Sequence, residues 1–403
     1  MTFDTEVVEE IPNPGDEEGQ AYRMHPHMKV IWRSVGAAAV IFALGLPSGR
    51  VAAEDTGRLG FVIRDWFTAV YNTEFADECP DGLAVGNDEY YWRSLKTKQE
   101  RAKFTNNGLV QVSDRQGPAM HRGPKMENVC LNPTVVKDPP MRIIDGTYSY
   151  GENLDGTEDG RATAKSCKHG KFVSPLDGKT KVDNQMYRLL GCNLGWRNPS
   201  FIDNNANEMR RTSGLGMILM EITGVKDPRN SDNVTVTFYR SIDQYALDGT
   251  GTPLPFASYR IETANGKPTY GDSVKGRIKD GVLTTERSDV SLPYYGNYNF
   301  LHPVIKDFGL RFEIAEDGKT AKGQITGYYD LKEFMYYIGG MVGHPQASDS
   351  CPGMYEAAYQ LADGYPDAKT GECTALSSAF DITAYAAFIH HPKPTQQMRT
   401  SQR

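Results

Sequence analysis

The sequence predicts a β-rich α+β fold in which antiparallel sheets pack as a sandwich, with helical additions at the N- and C-terminal ends and disulfides to fasten them. Three observations predict it. Runs between 234 and 329 alternate apolar and polar residues, as half-buried strands do. Nine Asp-Gly pairs supply turns, since both residues tolerate positive φ. Six cysteines, an even number, follow a segment with the order of a secretory leader.

That leader comes first. Lys29 and Arg33 precede an apolar run from Ser34 to Leu46, Pro47 and Gly49 break it, and Val51 and Ala53 place small residues where a signal peptidase reads them. The run has 13 residues, whereas a membrane-spanning helix needs about 20. Residues 28–53 are therefore expected to be a cleaved signal peptide of bacterial type, within a leader over 1–53. The finished chain is expected in the periplasm or outside the cell. His25 and His27 fall in the discarded part, so their spacing carries no metal argument.

Residues 54–141 read as a helical and irregular part. Leu59, Val62, Ile63, Trp66, Phe67 and Val70 form a helical stripe, although their β-branched and aromatic content also suits a strand. Asp88 is placed to cap a surface helix running to Phe104, and prolines and glycines recur from 106 to 141. The β-rich core is expected over 142–330. There Val234, Val236 and Phe238 alternate with polar residues. Val274–Ile278 and Val282–Thr285 flank Asp280-Gly281, and Leu310–Ile314 returns through Asp317-Gly318 to Gly323–Tyr329. A disulfide-stapled helical part follows over 331–391, with helices at 331–341 and 354–362 and a last strand at 381–389; 392–403 is a polar tail.

The cysteines are Cys79, Cys130, Cys167, Cys192, Cys351 and Cys373. Cys167 with Cys192 and Cys351 with Cys373 each bracket a turn-rich loop of modest length, which leaves Cys79 with Cys130. Each bridge is expected to add about 3–4 kcal/mol. C-x-x-C is absent, so thioredoxin-like exchange and zinc ribbons have no support.

Charge excludes one class of partner. Setting aside the four basic and seven acidic residues of 1–53 leaves 40 against 44, a net charge near −4. Such a chain has no basic field for nucleic acid. After residue 53 no apolar stretch is long enough to cross a bilayer as a helix.

Two segments qualify as sites. Asn153, Asp155, Thr157 and Asp159 stand at alternate positions with Gly156 and Gly160 among them, and Asp177 and Asp183 add oxygens if a Cys167–Cys192 bridge folds the loop back. Oxygen donors on a glycine-bearing loop suit Ca²⁺, the cofactor expected here, although Asp-Gly turns account for the same residues without it. The stretch Asp363–Gly371 is a weaker echo of the same pattern. The second segment holds Tyr294, Tyr295, Tyr298 and Phe300, an aromatic platform for sugar rings or cations. His169 enters only as a partner of Cys167 in half of a soft-metal site. H-E-x-x-H and the glycines of a nucleophile elbow are absent. The reading is an exported binding or envelope-associated protein, calcium-stabilised, with a glycan or envelope protein as partner. Its rivals are an exported hydrolase and a subunit of an envelope complex.

Overall fold

A computed structural model describes residues 57–71, 78–83, 96–105, 125, 131–135, 137, 141–170, 172–178, 180–193, 195–198, 200–296, 299–341 and 351–392. Eight antiparallel strands form a closed ring: β1 (Arg58–Thr68), β2 (Ile218–Thr223), β3 (Ser231–Arg240), β7 (Ser273–Lys279), β8 (Val282–Thr285), β12 (Val304–Ile314), β13 (Thr320–Asp330) and β15 (Cys373–His390). β15 pairs with β13 on one edge and with β1 on the other, which closes the barrel. The intervening short strands are β4 (Ala257–Arg260), β5 (Thr263–Ala264), β6 (Lys267–Pro268), β9 (Ser288–Ser291), β10 (Tyr294–Gly296), β11 (Asn299–Leu301) and β14 (Gly364–Pro366). β4, β9 and β14 extend the sheet from β15, β12 and β15 respectively.

The interior is a ring of register partners. Phe61 lies opposite Met220, Met220 opposite Phe238, and Val236 opposite Val274. The ring continues through Ile278 and Leu283 to Phe312, then Gly323, then Ile382, which faces Trp66 back on β1. Eight strands leave a lumen that side chains alone can fill. Here Phe61 and Phe312 meet edge-to-face at 5.1 Å, and Phe238 meets Phe308 at 5.6 Å. Gly323 has to be small, because a Cβ there would lie 2.8 Å from Cδ2 of Phe312. Leu219 and Val62 point outward instead and pack with Tyr239, Tyr245 and Tyr259 in a second cluster.

The expected sandwich is thus overturned by a barrel. Period-two alternation is the same in both, and only the double pairing of β15 separates them. The helical stripe at 58–71 is strand β1, whose two faces are both covered, so its apolar positions run together instead of alternating. Helices are few among the described residues: α1 (Lys98–Thr105), α2 (Gln185–Leu190), α3 (Phe201–Ser213), α4 (Leu331–Met341) and α5 (Cys351–Leu361), the last two matching the helices expected at 331–341 and 354–362. The C-terminal part instead carries the longest of these strands, 18 residues. The N-terminal half of the helix expected from Asp88 lies outside the described residues.

The disulfide pairing is also corrected. Cys79 joins Cys192 and Cys167 joins Cys373, with Cα separations of 5.7 and 6.1 Å and sequence separations of 113 and 206. Cys351 is disulfide-bonded as well. None of the pairs Cys79–Cys130, Cys167–Cys192 and Cys351–Cys373 forms. Loop length guided those pairings, whereas contacts between segments distant in sequence decide which sulfurs meet.

Helix α3 completes an edge that no strand covers. β2 pairs with β1 only as far as Ile63, next to a bulge at Ile63/Asp65. Beyond it, the Asn207 amide accepts from Trp66 N–H at 2.9 Å and donates to Trp66 C=O at 3.2 Å, standing in for a strand's backbone. Asp203 accepts from Thr68 N–H at 2.9 Å. Arg210 donates to Tyr295 C=O at 2.8 Å and to Asn207, and lies 5.0 Å over the Tyr294 ring. Ser200 caps the helix, and Gly214 ends it in the left-handed conformation.

Asn207→Leu would leave both Trp66 backbone groups buried without partners, and is expected to lower stability by about 2–4 kcal/mol; urea unfolding checks it, and an unchanged midpoint contradicts it. Burial pushes the Asp203 carboxyl up to about 6, against the Thr68 hydrogen bond and the Arg210 charge. The folded state therefore holds that proton more tightly than the unfolded one. Its contribution is full below about pH 4 and is lost as pH rises through about 6. Wild type is expected to lose about 2–3 kcal/mol between pH 4 and pH 7.5 relative to Asp203→Asn; parallel slopes in the two proteins contradict the assignment.

Candidate metal centre

The segment from Tyr148 to Asn184 lies on the outer face of β13 and β15. Glu152 accepts from Thr326 Oγ1 at 3.1 Å, and Gln185 N–H donates to Ser377 Oγ at 2.9 Å. Thr326 and Ser377 both stand at positions that alternate with the lumen-facing Ile325 and Phe380. The segment folds back on itself through a bridge between Glu152 and Asp183 and closes with α2, capped by Asn184.

Within it a tight turn aims Asp155 inward. Asn153 Oδ1 accepts from Gly156 N–H at 2.7 Å, and Asn153 Nδ2 donates to Thr157 C=O at 2.8 Å. Thr157 donates its N–H to Asp155 Oδ1 at 2.7 Å and its hydroxyl to Oδ2 at 3.1 Å. The second half of the segment brings in His169, whose N–H donates to Gly160 C=O at 2.9 Å. Gly160 has φ +65°, and a Cβ there would lie 2.3 Å from the His169 carbonyl oxygen, so only glycine fits. Asp183 follows on the bridge, with Oδ2 accepting from Leu154 N–H at 2.7 Å.

These elements converge. His169 Nε2 stands 3.1 Å from Asp155 Oδ2 and 3.6 Å from Asp183 Oδ1, and the three donor atoms lie within 4.8 Å of one another. The side chains are 5% (His169), 0% (Asp155) and 3% (Asp183) exposed, so the cluster is enclosed. His169 Nδ1 faces the Gly170 carbonyl at 2.7 Å. A carbonyl only accepts, so Nδ1 carries the proton and Nε2 is left to the carboxylates.

Two lone pairs cannot face each other comfortably at 3.1 Å. Either Nε2 is protonated too, or a cation lies between it and the two oxygens. In the ion-free site burial pulls the imidazole down, but the Asp183 charge and the Asp155 hydrogen bond outweigh it and hold His169 above its usual range. Burial pushes Asp183 up, against His169 and the Leu154 hydrogen bond. On Asp155 burial is outweighed by hydrogen bonds from Thr157, His169 and Ser166, so its carboxyl sits low. Asp363, fully buried and held by the Ser377 N–H at 2.7 Å and hydroxyl at 2.6 Å, is pushed up to about 7 chiefly by burial. Burial and the charges of Asp363, Asp183 and Asp155 raise the Tyr328 phenol as well. Three buried carboxyls thus surround one imidazole, and burial favours the neutral form of two of them, Asp183 and Asp363.

Of the expected donors, Asp155 and Asp183 meet at the centre. The Asn153 and Thr157 polar groups are spent on holding the turn, and Asp159 is exposed, capping Arg161 N–H at 3.3 Å. The Asp367 carboxylate within the weaker echo accepts from Lys369 and Thr370 N–H and closes its own turn. Of the aromatic segment, Tyr294 and Tyr295 are buried, Tyr294 lying 5.5 Å from Trp66. Phe300 is in β11, paired with Tyr295, and Tyr298 lies outside the described residues. His169 is the donor that sequence reasoning did not connect to these aspartates. It lies 14 residues from each, a spacing with no motif behind it.

A surface groove of about 470 Å³ opens elsewhere, beside β4 and the end of β15, lined by Tyr259, Phe388 and His390 among others. Its Asp243 and Arg260 are already paired at 2.5 Å. No protein-family model, curated protein or solved structure matches the chain.

Proposed function

We propose that this chain is an exported, disulfide-fastened β-barrel protein that binds a divalent transition ion, zinc above all, between Asp155, His169 and Asp183. One observation carries it: a buried imidazole nitrogen 3.1 and 3.6 Å from two carboxylate oxygens. Ligands at 2.0–2.2 Å in a tetrahedron lie about 3.4 Å apart, close to both separations. The donor set also selects the ion. Calcium takes six to eight oxygens, whereas imidazole suits zinc and its neighbours, so zinc replaces the calcium that the loop's carboxylates suggest.

The enclosure of the three side chains supports a binding role, with the fourth position of the tetrahedron left to water or a further group. The ion would then fix the 148–184 segment to the outside of the barrel. Export rests on the leader pattern and the disulfides. Among the described residues no helix is long and apolar enough to cross a membrane. A glycan or envelope protein as partner follows from export alone and plays no part in the site's chemistry.

Isothermal titration of EDTA-stripped protein is expected to show one zinc per chain and no calcium. At 100 times Kd, zinc should add about 2.7 kcal/mol of stability. His169→Ala is expected to abolish binding, and Asp183→Asn to weaken it by about 10-fold or more. Zinc uptake that His169→Ala leaves unchanged, or none by the wild type, contradicts the reading and leaves His169 as an imidazolium held by two carboxylates.

A further inference from the structure

Cys167 stands two residues before His169, and its disulfide ties the His169 turn to the first residue of β15. The backbone around it reaches the same place. Cys167 N–H donates to Asp363 C=O at 2.8 Å, Tyr365 N–H to Lys165 C=O at 2.7 Å, and Ser166 bridges to Gly364. The turn that presents the imidazole is thus attached beside the start of β15, where the covalent bond lies, and to β12 by the Lys165–Asp307 ion pair at 3.1 Å. Asp183 is anchored separately, by the Glu152–Asp183 bridge, while Asp155 is held both by the Asn153–Thr157 turn and by the Ser166 hydroxyl at 2.9 Å. Releasing Cys167 therefore loosens His169, and through Ser166 also Asp155, relative to Asp183. Cys167 is half-buried while Cys373 is buried, so the Cys167 sulfur is the more accessible to an incoming thiol. Cys79–Cys192 lies apart from the site, beside Glu78 and Arg197.

We infer that metal binding at Asp155–His169–Asp183 is coupled to the redox state of Cys167–Cys373: the oxidised protein holds the ion and reduction releases it. The inference rests on the zinc reading above. The reductant is a small dithiol. Its thiolate attacks Cys167 Sγ, the S–S bond breaks, and Cys373 leaves as a thiolate that takes up a proton. The reductant's second thiol then displaces Cys167 from the mixed disulfide. In sum two electrons and two protons pass to the protein, giving two cysteine thiols, and the dithiol closes to a disulfide. The coupling runs both ways: an ion that binds the oxidised form better protects that disulfide by the same factor.

The test uses the whole exported chain and zinc alone. Zinc affinity is measured on the oxidised protein, on protein reduced with dithiothreitol and alkylated at Cys167 and Cys373 as mapped by mass spectrometry, and on Cys167→Ser/Cys373→Ser. Affinity is expected to fall about 10- to 100-fold on reduction, the size of loss seen when groups that orient a ligand are removed. A second measurement needs no variant: saturating zinc should slow reduction of Cys167–Cys373 and leave Cys79–Cys192 unaffected. Affinity that is unchanged or tighter after reduction, or equal protection of both disulfides, overturns the coupling while the zinc site stands. An oxidised protein that takes no zinc overturns both.

Discussion

Strand β15 hydrogen-bonds to β13 along one edge and to β1 along the other, and the rest of the molecule depends on that double pairing. A sheet with both edges joined has no free backbone to satisfy within the ring. Its lumen then becomes the core, filled by Phe61, Phe238, Phe308 and Phe312 with Gly323 making room. Where β2 stops short, the side chains of α3 supply the missing partners to Trp66 and Thr68.

Closure also makes the outer face of β13 and β15 a rigid platform. The 148–184 segment lies on it, held by Glu152 to Thr326, by Gln185 to Ser377 and by the Cys167–Cys373 bond. Burial there forces Asp155, Asp183 and Asp363 around one imidazole, an arrangement that ordinary packing avoids because unpaired buried charge is costly. The proposed zinc ion would offset it. Barrel, disulfide and cluster thus lie together: β15 carries Cys373, its partner Cys167 stands two residues before His169, and His169 meets Asp155 and Asp183.

The hairpins at 274–285 and 310–329 were legible in the sequence, because their alternation and their Asp-Gly turns point the same way and need no distant partner. β1 was harder to read, since covering on both faces erases alternation. Only the last part of β15 was read, because its first half is rich in alanine and serine, which have weak strand preference. Asp155 can be named as an oxygen donor from its Asp-Gly turn, and Asp183 only if the loop folds back on it. Their meeting was ascribed to a Cys167–Cys192 bond, whereas the backbone bridge Glu152–Asp183 produces it. His169 had no local signal at all. Its convergence with the aspartates comes from the folding back of the 148–184 segment, through the His169–Gly160 and Glu152–Asp183 backbone contacts, and no local motif encodes it.

Amide hydrogen exchange across Phe380–Tyr385 tests that closure most directly. Successive amides of an inner strand point to opposite neighbours, so in this span they alternate between β1 and β13. The closed barrel predicts that every amide of the span is protected to nearly the global stability. Exchange of every second amide at the rate of an open edge would mean that β1 and β15 do not pair, and would contradict the barrel.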